Sequence, residues 1–337
     1  MVTKRIRTAV IGAGHMGRHH ARIYSELPDV DLVAVCDVDA DRAGEWAGKF
    51  DTSVVTQSSD LLGKVDAVTI AVPTVYHAEV AHPFIREGVA VLIEKPIAPD
   101  RKSAEAILEW AAQHNTIVSV GHSERFNPVV LAMGRMDVVP KFIETQRVSP
   151  FSFRSADIGV VFDMMIHDID VVLHLVKSRK CHVHAVGVNV LGEHEDVANA
   201  RLVFDNGCVA NLTASRLALK TDRRLRVFSP DAYFTMDYQR KSGLAVKMDA
   251  NLDLIKMAHE RNFEDLSQMS GLDFGKMINV EPLVLDDVEP LRAEIESFLR
   301  AVRTGEPPAV SGEDGLAAVR LAEEIVASIQ QHEWNPE

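Results

Sequence analysis

The chain has little cysteine, no long apolar run and no excess of basic residues, and each of these shortages excludes a class of protein. Its 337 residues include three cysteines, Cys36, Cys181 and Cys208, which are too few and too far apart for a disulfide framework or a zinc knuckle. No run of about 18 apolar residues is present, so no membrane-spanning helix is predicted. The first residues lead straight into an apolar strand without the features of a secretory signal, so we expect a cytoplasmic protein.

Acidic residues outnumber basic ones in this sequence. There are 49 Asp and Glu residues against 36 Lys and Arg residues, which gives a net charge of −13. Because nucleic acids and anionic membranes bind to positive surfaces, neither is predicted as a partner. A small anionic ligand could still bind at a local cluster of basic side chains. At roughly 100–200 residues per domain, the length predicts two domains.

The first third of the chain alternates between apolar runs and helical patterns. The runs are apolar almost throughout, and they lie at 7–11, 31–36, 67–72, 89–93 and 117–120. Helical patterns lie between them, at 15–27, 74–87 and 101–114. Strands of this composition are typical of a parallel sheet that is buried on both faces. We therefore predict an α/β domain with a doubly wound parallel sheet over residues 1–121.

After Gly121 the pattern changes to consecutive strands with few helices between them. The predicted strands lie at 141–148, 182–190, 197–204, 208–215, 225–229 and 233–238. The pair Asn206-Gly207 predicts a hairpin with a type I′ turn, and one helix is predicted at 162–176. We predict an α+β domain with an antiparallel sheet over residues 122–289. We expect the terminal helices, within 290–331, to pack back onto the first domain.

A glycine-rich loop joins the first strand to the first helix, with the sequence GAGHMG at 12–17. In this context Gly12 allows a tight turn, Gly14 lets the backbone approach a pyrophosphate, and Gly17 lets the helix pack against the strand. The helix N-terminus adds free N–H groups and a positive dipole end for the phosphates. The loop therefore predicts a dinucleotide site. The alternative is a glycine-rich turn that binds no nucleotide.

The second strand ends at Asp37, 20 residues after Gly17. A carboxylate there accepts hydrogen bonds from the adenosine ribose hydroxyls and repels a 2′-phosphate. Val38 follows, where an NADP enzyme more often has a cation, so the predicted cofactor is NAD. His15 and His19 are four residues apart and could share a helix face, but a zinc site needs a third ligand that is not evident nearby. No metal is predicted.

A lysine follows the apolar run at 89–93, in the sequence EKP at 94–96. The carboxyl edge of a parallel sheet borders the crevice in which ligands bind, and Pro96 restricts Lys95 to extended backbone angles. We regard Lys95 as a candidate for proton exchange with a bound ligand. The alternative is a solvated lysine at the end of a strand.

The isolated helix at 162–176 carries a second candidate set. Asp163 and His167 are four residues apart and share a helix face, and Asp170 lies near the same face. Asp168 is expected to point elsewhere, toward solvent. A neighbouring carboxylate fixes the orientation and tautomer of a histidine, as a proton-transfer group requires. The alternatives are ordinary charge pairs on a surface helix and a metal site built from Asp163, His167 and Asp170.

The glycine loop, the EKP sequence and the spacing Asp163-x-x-x-His167-x-x-Asp170, in that order, resemble the Gfo/Idh/MocA family (glucose–fructose oxidoreductase, inositol dehydrogenase, rhizopine catabolism). The resemblance covers essentially the whole chain. It implies an N-terminal Rossmann domain and a C-terminal domain with an open, mainly antiparallel sheet, through which members form homodimers or homotetramers. It also implies NAD-dependent oxidation of a secondary hydroxyl of a sugar or cyclitol.

Carried over residue by residue, the resemblance implies that Lys95, Asp163 and His167 are catalytic. His167 accepts the hydroxyl proton, Lys95 polarises the same oxygen, and Asp163 positions both. The resemblance also implies a set of cofactor contacts from the glycine loop and from the segments that follow the strands: Gly12, Gly14, His15, Met16, Gly17, Asp37, Ala71, Pro73, His77, Glu94 and Lys95.

Two further segments, 121–128 and 147–154, resemble the branch of the family that oxidises the 3-hydroxyl of the nucleotide sugar UDP-N-acetylglucosamine. In that branch a pyridoxal-phosphate aminotransferase converts the 3-keto product into a 3-amino sugar for lipid A. Arg125, Arg147 and Arg154 are candidates to bind a diphosphate bidentately. The predicted substrate-binding residues are Lys95, Arg125, Asn127, Arg154, Asp163 and His167.

Three alternatives to this substrate prediction stay open in the sequence. The arginines could instead pair with the abundant carboxylates of the chain. The substrate could be a free sugar or a cyclitol such as an inositol, which has no use for an arginine cluster. The protein could also be a regulator that binds NAD without catalysis, although such a sensor does not need a proton-transfer set.

Overall fold

The computed structural model of the chain describes residues 5–136, 138–152, 158–248 and 278–333. The chain divides into two compact units. The first comprises Met1–Phe126, Ile169–Val171 and Val288–Ala327, and the second comprises Asn127–Asp168, Val172–Asp287 and Ser328–Glu337. The predicted division of labour, with the cofactor held by residues 1–121 and the substrate by residues 122–289, concerns function and stays a prediction.

The first unit contains a six-stranded parallel sheet. Its strands are β1 (Ile6–Ile11), β2 (Val30–Cys36), β3 (Ser53–Val55), β4 (Ala67–Ile70), β5 (Ala90–Glu94) and β6 (Val118–Gly121). They pair in the order β3-β2-β1-β4-β5-β6, which confirms the predicted doubly wound sheet. The helices between them are α1 (His15–Glu26), α2 (Ala40–Lys49), α3 (His77–Arg86) and α4 (Arg101–His114).

Two elements of this unit escape the sequence pattern, and both have a physical reason. The strand β3 is only three residues long. The helix α2 buries only Ala43 and Ala47 along its length, so its apolar stripe is too thin to be recognised. The pattern does predict the strands that are buried throughout, as every residue of β4 and β5 is.

The second unit contains an eight-stranded sheet. Its strands are β7 (Phe142–Val148), β8 (Cys181–Val188), β9 (Val197–Phe204), β10 (Val209–Ser215), β11 (Asp222–Phe228), β12 (Ala232–Asp237), β13 (Ser242–Lys247) and β14 (Glu281–Pro282). They pair in the order β14-β13-β12-β11-β7-β10-β9-β8, and every pair except the parallel β7 and β10 is antiparallel. This arrangement confirms the predicted mainly antiparallel sheet.

The predicted hairpin between β9 and β10 is present, but its turn is of another type. The Phe204 N–H donates to the Cys208 carbonyl at 2.9 Å, and the Gly207 N–H donates to the Phe204 carbonyl at 2.8 Å. Gly207 has a φ of +83°, whereas Asn206 is not among the described residues with positive φ. A type I′ turn needs positive φ at both central residues, so that assignment is wrong. The geometry is that of a three-residue loop with glycine in the left-handed position.

Helices complete the two units. The helix α5 (Pro128–Gly134) follows the first unit, and α6 (Ile166–Val176) contributes Ile169–Val171 to the first unit and its other residues to the second. The terminal helices are α7 (Pro290–Thr304) and α8 (Gly312–Gln331). Buried residues of α7, such as Phe298, belong to the same apolar cluster as Tyr24 of α1 and Leu92 of β5. Within the described part of the chain, no helix combines the length and apolarity needed to cross a bilayer.

The strand order of the first sheet reverses between β1 and β4. Ligands of open α/β sheets bind at such a point, beyond the carboxyl ends of the strands. The glycine loop follows β1 there, and Ala71 follows β4. The two ends are joined, because the Ala71 N–H donates to the Ile11 carbonyl at 2.7 Å. The fold therefore brings the predicted loop to the edge at which a dinucleotide would bind.

Candidate active site

The glycine loop in the first unit has the shape that a pyrophosphate site requires. Gly12 has a φ of +98°, and a Cβ atom there would lie 2.5 Å from the Ala71 carbonyl oxygen. A Cβ atom on Gly17 would lie 1.7 Å from the Gly12 carbonyl oxygen, so only glycine lets α1 pack this closely. A Cβ atom on Gly14 would meet no atom within 4 Å. The backbone at Gly14 thus faces open space, which a side chain would fill and a phosphate can enter.

The N-terminus of α1 adds to this fit. No side chain caps the helix, and no acidic residue lies in its first turn. Its N–H groups and positive dipole end therefore remain for an anion. His15 lies exposed in this turn, with its Nδ1 3.0 Å from the Arg18 guanidinium, and Met16 is half-buried beside it. The residues of the loop fit the diphosphate of NAD.

Asp37 lies at the end of β2, as predicted, and it also supports the glycine loop. Its Oδ2 accepts the Ala13 N–H at 2.8 Å, and its Oδ1 accepts the Asp39 N–H at 3.0 Å. The guanidinium of Arg42 lies 3.5 Å from Oδ2, which the sequence pattern does not indicate. A carboxylate in this place is suited to ribose hydroxyls, and it is anchored there by backbone donors.

His77 connects the loops that follow β4 and β5. Its two ring nitrogens each lie 3.0 Å from a backbone carbonyl oxygen, that of Val72 and that of Pro96, and the residue is 1% exposed. The two carbonyls raise the pKa of the His77 imidazole, but burial lowers it by more, so the net shift is downward. A neutral imidazole donates to one of these two carbonyls, so His77 braces this edge, and its contact with the cofactor stays a prediction. Pro73, in the same segment, is exposed.

Lys95 follows the last residue of β5 and is half-buried. Its backbone N–H donates to Oε2 of Glu94 at 3.2 Å. The other oxygen of Glu94, Oε1, accepts a hydrogen bond at 2.8 Å from Nε2 of His20, which is fully buried on α1. Burial raises the pKa of the Glu94 carboxyl, but the hydrogen bond and charge of His20 and the charge of Lys95 outweigh it, and the net shift is downward. Glu94 is therefore an ionised group beneath Lys95.

In the second unit, Asp163 and His167 lie on either side of a change in helical geometry. Val161–Met165 forms a π-helical turn that continues directly into α6. Single π-turns within helices are frequent at functional sites, and sequence periodicity cannot reveal them. Glu195 holds the start of this turn: its Oε1 accepts the Val161 N–H at 3.1 Å, and its carbonyl accepts the Val160 N–H at 3.0 Å. Asp163 and His167 are both half-buried.

The structure corrects the expectation that Asp168 is solvated. Asp168 is 1% exposed, and its carboxylate accepts two hydrogen bonds from Arg147 of β7, at 3.1 Å from Nε and 2.9 Å from Nη2. Arg147 is itself 2% exposed and lies over the Tyr238 ring. The pair fixes α6 against the sheet of the second unit. The helix therefore carries a buried anchor next to His167.

Arg125 and Asn127 are likewise engaged within the fold, and their assignment to the substrate stays a prediction. The Arg125 guanidinium donates to both oxygens of Asp170, at 2.8 Å from Nε and 2.6 Å from Nη2. Asn127 caps α5 by accepting the Val129 N–H at 3.3 Å, and it is 5% exposed. For Arg125 and Arg147 the structure thus supports the alternative that the arginines pair with carboxylates. Arg154 lies outside the described residues.

Metal ligands are not grouped in the described part of the structure. Among those residues, no cluster of three or more His, Cys, Asp or Glu side chains is placed to hold a metal ion. Asp170, which the metal alternative requires, is the partner of Arg125.

Comparison with known proteins identifies relatives along the whole chain. The model of an oxidoreductase family with an NAD-binding Rossmann fold, GFO_IDH_MocA, matches residues 6–122, and that of the GFO/IDH/MocA C-terminal domain matches residues 141–234. The chain is 32% identical to UDP-N-acetylglucosamine 3-dehydrogenase of Acidithiobacillus ferrooxidans, over 96% of this chain and 97% of the relative. It is 27% identical to inositol 2-dehydrogenase of Rhizobium meliloti, over 97% of each chain.

Solved structures agree with these matches. The structure of UDP-N-acetylglucosamine 3-dehydrogenase from Acidithiobacillus ferrooxidans superposes with a TM-score of 0.85 at 31% identity, covering 97% of this chain and 98% of that one. A levoglucosan dehydrogenase in complex with NADH and levoglucosan gives a TM-score of 0.81 at 19% identity, with coverage of 97% and 98%. At that identity the second likeness concerns the fold alone.

Proposed function

Because this chain belongs to the Gfo/Idh/MocA family of NAD-dependent oxidoreductases, we propose that it oxidises the 3-hydroxyl of UDP-N-acetylglucosamine to a ketone. The observation that carries the proposal is the similarity to UDP-N-acetylglucosamine 3-dehydrogenase, at 32% identity over 96% of this chain. The carboxylate, histidine and lysine of a proton-transfer set, Asp163, His167 and Lys95, are all present. In this proposal residues 1–121 hold the cofactor and residues 122–289 present the substrate.

The residues of the chain handle the proton of the substrate hydroxyl. His167 accepts this proton as general base, Lys95 polarises the same oxygen, and Asp163 orients the imidazole. NAD, when bound at the glycine loop and Asp37, supplies the acceptor for the hydride that leaves the carbon. The secondary alcohol would thus lose a proton from its oxygen to the protein and a hydride from its carbon, which leaves a ketone.

Arg125 and Arg147 were both predicted to bind the diphosphate, and in the structure both guanidinium groups are engaged by buried carboxylates. This observation favours a second candidate function, the oxidation of a cyclitol such as an inositol, which needs no diphosphate site. The similarity to inositol 2-dehydrogenase of Rhizobium meliloti, at 27% identity over 97% of the chain, supports that candidate.

Two further parts of the proposal follow from the resemblance of the sequence. The 3-keto nucleotide sugar would pass to a pyridoxal-phosphate aminotransferase on the route to lipid A. The chain would form a homodimer or homotetramer through the eight-stranded sheet. On β9 of that sheet, buried residues alternate with more exposed ones, as expected of a strand with one face outside the core.

The experiment measures NADH formation by the purified full chain with UDP-N-acetylglucosamine, free N-acetylglucosamine or myo-inositol. We expect turnover with the nucleotide sugar. Reduction of the product with borodeuteride, followed by NMR, should locate deuterium at carbon 3 of the sugar. Turnover with inositol alone would establish the second candidate. Tight NAD binding without NADH formation from any of these substrates would contradict both and favour a regulator.

The base is tested by His167→Asn. We expect turnover to fall about 100-fold to 10,000-fold, because the general base is lost, while NAD binding is retained. The matched control is His174→Asn, which changes an exposed histidine on the same helix and should retain wild-type turnover. Wild-type turnover in His167→Asn would show that another group accepts the proton.

A further inference from the structure

We propose that Glu94 is a positioning residue for Lys95, held in a fixed orientation by His20. The inference rests on the proposed function, because it takes Lys95 as the group that polarises the substrate hydroxyl. It concerns three side chains that the proton-transfer set does not include. All three are buried in the first unit, with exposures of 0% for His20, 8% for Glu94 and 1% for Glu294.

The Glu94 carboxylate joins two elements that meet at the ligand edge of the sheet. One oxygen accepts the backbone N–H of Lys95 at 3.2 Å, and the other accepts Nε2–H of His20 at 2.8 Å. His20 lies on α1, the helix that begins at the glycine loop. Because both oxygens have a donor, the carboxylate cannot rotate without losing a hydrogen bond in a buried environment. The start of the Lys95 segment is thereby tied to the helix of the glycine loop.

The neighbouring strand leaves room for this arrangement. Gly121 of β6 pairs with Glu94 of β5 in the sheet. A Cβ atom at Gly121 would lie 3.1 Å from Oε2 of Glu94 and 3.2 Å from its Cα. A side chain there would crowd the carboxylate and require Glu94 to shift by a few tenths of an ångström. The absence of a side chain at Gly121 thus provides the space that the Glu94 carboxylate occupies.

Glu294 of α7 is the third carboxyl group of this region, and it lacks a counter-charge. Neither of its oxygens has a hydrogen-bonding partner among the described residues. Its carboxylate neighbours are Glu94 and Asp170. Glu94 is already paired with His20, and Asp170 with Arg125. Burial, followed by the charges of Glu94 and Asp170, raises the pKa of the Glu294 carboxyl well above 4.5. Glu294 therefore retains its proton.

The other titratable and charged groups of this region come from each element packed around it. Glu294 interacts directly with Tyr24 of α1, Glu94 of β5 and Asp170 of α6. Beyond these lie the groups that interact with Glu94 or Asp170, which are His20, His77, Lys95, His122 and Arg125. Asp314 interacts with Arg125. An ionised Glu294 would place an unpaired negative charge beside Glu94 and Asp170. As a neutral acid, it adds no charge to that of Glu94, which interacts with Lys95.

The first readout does not depend on turnover. Trace acetic anhydride labels four full-length proteins across a pH series: wild type, Glu94→Gln, Glu294→Gln and Glu296→Gln. Mass spectrometry measures the acetylation of Lys95 and of the exposed Lys102. In Glu94→Gln we expect the labelling midpoint of Lys95 to fall by about one pH unit, because the charged lysine loses its carboxylate neighbour. The midpoint of Lys102 should not move. In Glu294→Gln the Lys95 midpoint should equal that of wild type, because a neutral amide replaces a neutral acid.

The second readout is turnover. In Glu94→Gln we expect kcat to fall by about tenfold to a hundredfold, as misplacement of a catalytic group does. If Glu94→Gln does not fold, Gly121→Ala is used in its place. This variant displaces the Glu94 carboxylate without removing it, and it should also lower kcat. The exposed Glu296, on the same helix as Glu294, provides the control Glu296→Gln with wild-type behaviour in both readouts.

The outcomes separate this inference from the proposed function. If the wild type oxidises none of the substrates, the proposed function fails, and the labelling series still tests the arrangement around Lys95. If the wild type turns over and the Lys95 midpoint and kcat are the same in Glu94→Gln as in wild type, the positioning role is overturned and the function stands. A Lys95 midpoint that falls in Glu294→Gln as well would show that Glu294 is ionised.

Discussion

The pH dependence of stability offers a direct test of the buried carboxyl group on α7. The perturbation is Glu294→Gln, which keeps the shape of the side chain and removes its ability to ionise. In the folded protein the pKa of Glu294 is raised by burial and by the charges of Glu94 and Asp170, whereas in the unfolded chain it returns to about 4.5. Between these two values the folded protein holds a proton that the unfolded chain releases.

The sign and the size of the effect follow from this difference. Below pH 4.5 both states of the wild type are protonated, and the group does not affect stability. As the pH rises above this value, unfolding releases a proton, so the free energy of unfolding falls by about 1.4 kcal/mol for each pH unit. The loss ends at the native pKa. Glu294→Gln escapes this loss, so its stability relative to wild type should increase with pH at the same slope.

The assay is urea unfolding of wild type, Glu294→Gln and Glu296→Gln at pH 5.5, 6.5 and 7.5 (values chosen as about one unit apart to resolve the slope). A difference in the free energy of unfolding between wild type and Glu294→Gln that is the same at every pH reflects the packing of the amide. It carries no information on the ionisation of Glu294. For Glu294→Gln the difference should grow by about 1.4 kcal/mol per unit up to the native pKa of Glu294 and stay constant above it, and for Glu296→Gln it should stay flat throughout. Parallel curves for wild type and Glu294→Gln would refute the conclusion that Glu294 is neutral in the folded protein.

Two further predictions concern the buried ion pair and the glycine loop. Arg147→Ala should lower the free energy of unfolding by about 3–5 kcal/mol in urea unfolding, because it leaves the Asp168 carboxylate buried and unpaired. Arg147→Lys should lose less, and equal stability of all three proteins would contradict the pairing. Gly17→Ala should reduce thermal stability and NAD binding together, since its Cβ would meet the loop backbone. Gly14→Ala should weaken NAD binding in a calorimetric titration at wild-type thermal stability, and unchanged binding would mean that the phosphates lie elsewhere.

The parallel sheet and the glycine loop are the parts that the sequence predicts well, and the reason is local. The strands β4 and β5 are buried on both faces, so their apolar runs stand out without knowledge of any partner. The roles of Gly12, Gly14 and Gly17 depend on backbone shape, which the spacing of the glycines already specifies. The strand order and the place of the loop follow from general rules for such sheets.

The parts that the sequence predicts poorly depend on partners that are distant along the chain. Asp168 was expected in solvent because its position on the helix says nothing about Arg147, which lies on β7. Arg125 resembles a free cation in the sequence, whereas in the structure Asp170 accepts hydrogen bonds from its Nε and Nη2. Glu294 attracts no attention in a helical pattern with other acidic residues, and its burial becomes evident only when α7 packs into the first unit. The π-turn before α6 is invisible for a related reason, since Glu195 supports it from another segment.

The double engagement of Asp37 has a consequence for redesign of the cofactor site. The carboxylate that we propose to select NAD also accepts the Ala13 N–H inside the glycine loop, at 2.8 Å. A substitution that makes room for a 2′-phosphate therefore removes a support of the loop at the same time. Exchange of cofactor preference in this protein needs two coordinated changes: a cation for the phosphate, for which Arg42 already lies nearby, and a new acceptor for the Ala13 N–H. A single substitution at Asp37 should yield a protein that binds both cofactors weakly.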